Sequence, residues 1–112
     1  MRVYKILPRG DWDAARAAGR YDGSELDRAD GFIHFSTADQ AGETARRHFA
    51  GQADLVVLEV EADDLGQALR WEPSRGGALF PHLYGALQAD LVRGATEAPL
   101  GPDGVPRLGP LG

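Results

Sequence analysis

Cysteine is absent from the chain, so no disulfide framework, thiolate metal site or cysteine nucleophile is open to it. Long apolar runs are absent too. The longest aliphatic stretch is Leu55 to Leu58, far too short to cross a bilayer. Met1 to Pro8 lacks the apolar segment of a signal peptide. A cytoplasmic protein with no membrane partner is the expectation. Basic charge is also scarce. Twelve Lys and Arg against 17 Asp and Glu leave a formal net charge of −5, and Lys5 is the single lysine. This balance excludes a broad nucleic-acid surface but leaves room for a local basic pocket. What is present is ordinary globular composition: 43% apolar and 26% charged residues in 112. The chain reads as one small domain, 1–112, closing with a Pro/Gly-rich segment over 95–112.

Residue patterning predicts about five strands and two clear helices. Arg2 to Leu7 is β-prone and stops at Pro8. Asp11 to Ala18 is a short helix ended by Gly19, and the polar stretch Tyr21 to Asp30 reads as a loop. Gly31 to Ser36 is a second strand. Thr37-Ala-Asp-Gln40 is a capping box, opening a helix to about Phe49. Asp54 to Glu61 is the strongest strand, and its run of aliphatics places it centrally, buried on both faces. A turn over Asp63 to Ala68 precedes a strand at Leu69 to Glu72. Ser74 to Gly77 is a loop, Leu87 to Val92 a late strand, and Asp103-Gly104 a hairpin turn before a loose end. Helices and strands do not alternate regularly. The expected fold is therefore α+β, with small, curved, mostly antiparallel sheets and two main helices.

Two segments carry candidate chemistry. In Phe32-Ile33-His34-Phe35-Ser36, strand alternation sets His34 and Ser36 on one face with Phe32. Phe80-Pro81-His82-Leu83-Tyr84 repeats the pattern of aromatic, x, His, x, hydroxyl. Pro81 lacks a donor, which points to an edge, a bulge or a loop. Each segment has a structural alternative: a histidine satisfied within the sheet, or an aromatic pair anchoring a loop. Together they suggest a pocket for a polar ligand with an aromatic ring, in which imidazoles hold ribose hydroxyls or phosphates or move protons. Arg75 could pair with phosphate and Glu72 could polarise a hydroxyl, unless the two form a surface ion pair. Glu59-Val60-Glu61 reads as the solvated end of a strand in preference to paired acids. His34, His48 and His82 lack metal-ligand spacing, so no metal is expected. There is no P-loop, no G-x-G-x-x-G after a strand and no G-x-S-x-G elbow.

Gly31-Phe-Ile-His-Phe-Ser-Thr37 and Phe80-Pro-His-Leu-Tyr-Gly85 resemble the two signature segments of a bacterial family known as domain of unknown function 952. The resemblance extends to Val3-Tyr4-Lys5-Ile6, Leu55 to Val60, Arg70-Trp71-Glu72 and the Asp103-Gly104 turn. That family is in turn similar to the ADP-ribosyltransferase superfamily, whose members bind NAD between two small curved sheets. The resemblance implies an ADP-ribosyltransferase-like fold. It also implies ribose contacts from His34 and Ser36, with Tyr84 near the nicotinamide. The third motif of the transferases, a late-strand Glu, has no counterpart. Glu59 and Glu61 precede Tyr84, and Glu97 has no motif around it. The expectation is a domain that binds NAD, as substrate, or another ADP-ribose-containing nucleotide. His34, Glu72 and Arg75 would be catalytic, and Ser36, Phe80, His82 and Tyr84 would bind substrate. ADP-ribosyl or 2′-phosphate transfer is the reaction implied, and a non-catalytic module for a nucleotide or small metabolite is the alternative.

Overall fold

A computed structural model describes residues 1–111; the side chain of Arg75 also lies outside the described residues. The strands are β1 (Arg2–Pro8), β2 (Arg20–Tyr21), β3 (Ile33–His34), β4 (Leu55–Glu61), β5 (Leu69–Pro73), β6 (Leu79–Leu83), β7 (Leu87–Gln88) and β8 (Val92–Ala98). The helices are α1 (Arg9–Ala18), α2 (Glu25–Asp30), α3 (Ala38–His48) and α4 (Ala62–Leu65). Strands pair as β1-β4-β8, β2-β7 and β3-β6-β5, and every pairing is antiparallel. The class is α+β, with α1 and α3 the two long helices.

β4 is the middle strand of its sheet, as its aliphatic run predicts. Alternation sends its side chains to two cores. Val56, Leu58 and Val60 join Val3, Leu7, Trp12, Ile33, Phe35 and Leu83 in one cluster. Leu55 and Val57 join Tyr4, Ile6 and Ala45 in the other, beneath α3. The Pro/Gly-rich end is not loose. β8 extends through Ala98, and Val105, Leu108 and Leu111 pack against the second cluster. The turn at Asp103-Gly104 is closed by Gly101 N–H to Val105 O at 2.9 Å.

Two local departures from the sequence expectation shape the cleft. Tyr21 to Asp30 contains α2. Ser24 caps it by accepting from Asp27 N–H, while the Asp27 carboxylate accepts from Ser24 N–H. This is a capping box with Asp in place of the usual Glu or Gln. The second departure is Pro81, which lies in the middle strand of β3-β6-β5. Its carbonyl accepts from Phe35 N–H at 3.0 Å, so its nitrogen faces the same neighbour and has no hydrogen to return. The β3–β6 ladder therefore ends after Ile33 and His34. The chain then crosses to the other sheet, where Ser36 and Tyr4 exchange backbone hydrogen bonds of 2.8 and 2.9 Å. One short segment thus bridges two sheets, with a cavity beside it.

Leu58→Ala should cost about 2–5 kcal/mol, because Leu58 is fully buried at the centre of the sheet. Leu26→Ala, at a half-exposed helical position, should stay within about 0.5 kcal/mol. Urea unfolding of both variants checks the ranking.

Candidate functional site

The cavity encloses about 350 Å³. Its walls come from β1 (Tyr4, Lys5, Ile6), α2 and its cap (Ser24, Leu26, Asp27, Asp30), and the bridging segment (His34, Phe35, Ser36). Thr44, His48 and Phe49 add the α3 side, and Ser74, Phe80 and His82 close it.

Antiparallel register sets His34 directly opposite His82. Their rings lie edge to face, with centroids 5.6 Å apart. Phe32 wedges beside both, stacked on His82 at 4.1 Å and tilted against His34 at 4.7 Å. Each imidazole is oriented by a carboxylate through Nδ1. His34 Nδ1 lies 2.6 Å from Asp27 Oδ1, and His82 Nδ1 lies 2.8 Å from Glu72 Oε1. An ionised carboxylate only accepts, so both Nδ1 atoms carry the hydrogen and Nε2 is the nitrogen left for a ligand. At His34 the Asp30 side chain also reaches Nε2, at 2.9 Å. That contact needs a second N–H, so a ligand at Nε2 of His34 has to displace Asp30.

Asp27 is the anchor of the site, and it is 2% exposed. Its carboxylate accepts from Lys5 Nζ at 2.8 and 3.1 Å, from Ser24 N–H at 2.9 Å and from His34 N–H at 3.1 Å, besides the His34 ring. Burial pushes the Asp27 carboxyl up. The His34 hydrogen bond and the Lys5 charge outweigh it and hold the group well below the usual carboxylate range. Burial lowers the Lys5 ammonium from its ordinary value, against the pull of Asp27. Gly23 makes room for this cluster. Its φ is +104°, and a Cβ there would sit 2.9 Å from Asp27 Cβ.

The other predicted residues occupy distinct places. Glu72 does not line the cavity; it stands behind His82 and also accepts from Tyr84 Oη at 2.8 Å. The His82 and then the Tyr84 hydrogen bonds lower the Glu72 carboxyl, and the Glu72 bond raises the Tyr84 phenol. Tyr84 is likewise not on the cavity wall, and the Arg70 guanidinium covers its ring at 4.7 Å. Phe80 and Ser36 do line the cavity, and Ser36 Oγ lies 2.9 Å from Thr44 Oγ1. Arg75 belongs to a turn over Arg75–Gly77, with its side chain outside the described residues. Glu59 and Glu61 lie at the far end of β4 and pair with Arg2 and the N-terminal amine. Glu97 pairs with Arg9 at 2.8 Å. Among the described residues, no three His, Asp or Glu side chains gather as metal ligands. No helix there is long and apolar enough to cross a membrane.

Asp27, Asp30, Lys5 and Thr44 escape a reading based on motifs alone. A signal for Asp27 was available. The S-x-x-D spacing after Gly23 marks a helix start, and a lone lysine in a hydrophobic strand needs a buried acid.

These features define a small α+β domain with a mainly apolar cavity, carrying a few polar side chains, where two antiparallel sheets meet. The chain belongs to the family described as protein of unknown function (DUF952), whose pattern matches residues 6–95. It is similar to protein CC0527 from Caulobacter crescentus. The crystal structure of that protein shares 56% identity and a TM-score of 0.95, covering 97% of this chain and 96% of that one. A double mutant of CC0527 gives 55% identity and a TM-score of 0.95 over the same shares. Its solution NMR structure gives 56% and 0.87, over 96% and 93%. No curated protein matches.

Asp27→Asn removes the buried anion and leaves Lys5 without its counter-charge. The expected cost is about 3–5 kcal/mol at neutral pH. A folded-state pKa below the unfolded one, which is about 3.9, gives stability that is complete above that value and is lost as pH falls below it. The gap between the wild type and Asp27→Asn should therefore narrow as urea titrations move from about pH 6 to below pH 4.

Proposed function

We propose that the cavity binds NAD or another ADP-ribose-containing nucleotide through one nucleoside end, in a domain with an ADP-ribosyltransferase-like fold. The observation that carries this reading is the pair of carboxylate-oriented imidazoles meeting on one cavity wall, His34 on Asp27 and His82 on Glu72. Two imidazoles with centroids 5.6 Å apart on one wall suit a ribose hydroxyl pair, or proton exchange with it. The Ser36 and Thr44 hydroxyls supply further partners, and Phe35, Phe49 and Phe80 supply apolar surface for a ring.

Size narrows the ligand. A volume of about 350 Å³ lies at the small end of the range for ligand sites, about 300–1,000 Å³. The cavity takes a nucleoside or mononucleotide portion, and the rest of a dinucleotide would extend outside it. Glu72 in this reading is a positioning residue that fixes the His82 ring. A cytoplasmic location belongs to the same reading.

One observation favours a binding module over a transferase. Glu59, Glu61 and Glu97 are all engaged in ion pairs away from the cavity. The carboxylates on its wall, Asp27 and Asp30, already meet His34. Among the described residues, no acid on this wall stands apart from His34 to stabilise a sugar cation.

A thermal-shift series with NAD, ADP-ribose, a 2′-phosphorylated nucleotide and plain ribose tests the proposal. A ligand at about 100 times its Kd adds roughly 2.7 kcal/mol, a shift of several degrees for a domain of this size. His34→Ala and His82→Ala should lose the shift while keeping a cooperative melt. No shift with any nucleotide contradicts the reading. Mass spectrometry of NAD incubated with the protein decides between classes, since only a transferase or hydrolase releases nicotinamide.

A further inference from the structure

Among the described residues two acids line the cavity, and they are held very differently. Asp27 is fixed by Lys5, by two backbone N–H groups and by the His34 ring. Asp30 has 43% of its side chain exposed, and its ion pair is with His34 Nε2 at 2.9 Å. It also closes α2, where the last carbonyls of a helix disfavour an acid. The helix gains nothing from a carboxylate there, so its place against His34 asks for another reason.

Hydrogen-bond polarity supplies one. Asp27 puts the His34 hydrogen on Nδ1 and leaves Nε2 as an acceptor. The Asp30 carboxylate is a second acceptor aimed at the same point. Two acceptors 2.9 Å apart repel unless a hydrogen lies between them. A second proton on the ring is one remedy. The hydroxyls of a sugar diol are another: one O–H donates to Nε2 as Asp30 gives way, and its neighbour donates to the displaced carboxylate. A phosphate offers mainly acceptors near neutral pH and brings negative charge besides. Charge on the wall points the same way. Among the described residues, Lys5 is the one Lys or Arg lining the cavity, and Asp27 already holds it at 2.8 Å. That pair is neutral, so the charge left over on the α2 side is the one on Asp30.

We propose that Asp30 is a specificity-determining residue, which forms with His34 Nε2 a pair of acceptors that reads the free cis-diol of a sugar and rejects a sugar phosphorylated at that diol. The inference rests on the nucleoside reading above, and it narrows the ligand to one whose ribose hydroxyls are unmodified.

NMR titration of the intact protein near neutral pH tests it, with adenosine, 2′-deoxyadenosine, adenosine 2′-monophosphate, ribose and 2-deoxyribose as probes. The wild type should bind adenosine about tenfold more tightly than 2′-deoxyadenosine, which lacks one donor, and at least about tenfold more tightly than the 2′-monophosphate. Asp30→Asn keeps the shape, removes the charge and brings an N–H donor. The preference over the 2′-monophosphate should then shrink to within about threefold, mainly because the phosphate gains. Asp30→Glu keeps the charge and should still disfavour the phosphate. A wild-type preference that survives Asp30→Asn overturns the inference, as does a wild type that binds the 2′-monophosphate as tightly as adenosine. In either case, adenosine binding that is lost in His34→Ala spares the nucleoside reading. Should Asp30 be needed for a preference of ribose over 2-deoxyribose, while adenine adds no affinity, the nucleoside reading falls and the diol clamp stands. Binding of no probe overturns both. Asp30 sits at an exposed helix end, so its variants should keep a cooperative melt, and the wild-type ranking of the three adenosines needs no variant at all.

Discussion

The carboxylate of Asp27 sits in the interior with an ammonium, two backbone N–H groups and an imidazole N–H arranged around it. A lone carboxylate there would be far too costly to keep ionised, and removing any one of these donors leaves a desolvated charge behind. The donors come from β1, from the cap of α2 and from β3, so satisfying one anion fixes three elements against each other. Lys5 has the reciprocal problem in the middle of a hydrophobic strand, and Asp27 solves it. Such a cluster adds little net stability compared with apolar packing of the same volume. Its effect is on geometry: the His34 ring has one orientation because its Nδ1 has one partner.

The second imidazole is built from different parts with the same logic. His82 receives its orientation from Glu72, two strand positions from where Arg70 faces it across the ladder. Glu72 in turn is held by Tyr84, and Phe32 fills the space between the two rings. Pro81 contributes by what it lacks. Without its N–H the β3–β6 ladder stops at His34, and the chain is released to join Tyr4 on the neighbouring sheet. The cavity lies beside that crossing, so the backbone defect and the site have one cause.

Much of this is legible from residue order. Alternation groups Phe32 with His34 and Tyr84 with His82, and these four rings do meet; the aliphatic run of β4 marks the central strand. The expectation for Tyr21 to Asp30 failed because α2 has six residues and few apolar ones. Its stability comes from the capping box and from tertiary hydrogen bonds, which leave no periodic trace. Asp27 was hidden for the same reason. Tyr84 and Glu72 show the opposite limit: pattern places them near the histidines, but the fold sets both off the cavity wall, behind His82. The family resemblance is shown over residues 6–95, and the likeness to CC0527 extends the fold to nearly the whole chain. Neither carries an activity, so the chemistry rests on the cavity alone.

The central claim is that two imidazoles, each fixed through Nδ1 by its own carboxylate, present Nε2 to one cavity. Long-range 1H–15N NMR of the imidazole nitrogens measures this directly. The account predicts hydrogen on Nδ1 of both His34 and His82, and Nε2 resonances of both that shift together when ADP-ribose is added. Hydrogen on Nε2 alone in either ring, or Nε2 resonances that ignore every nucleotide, would contradict it.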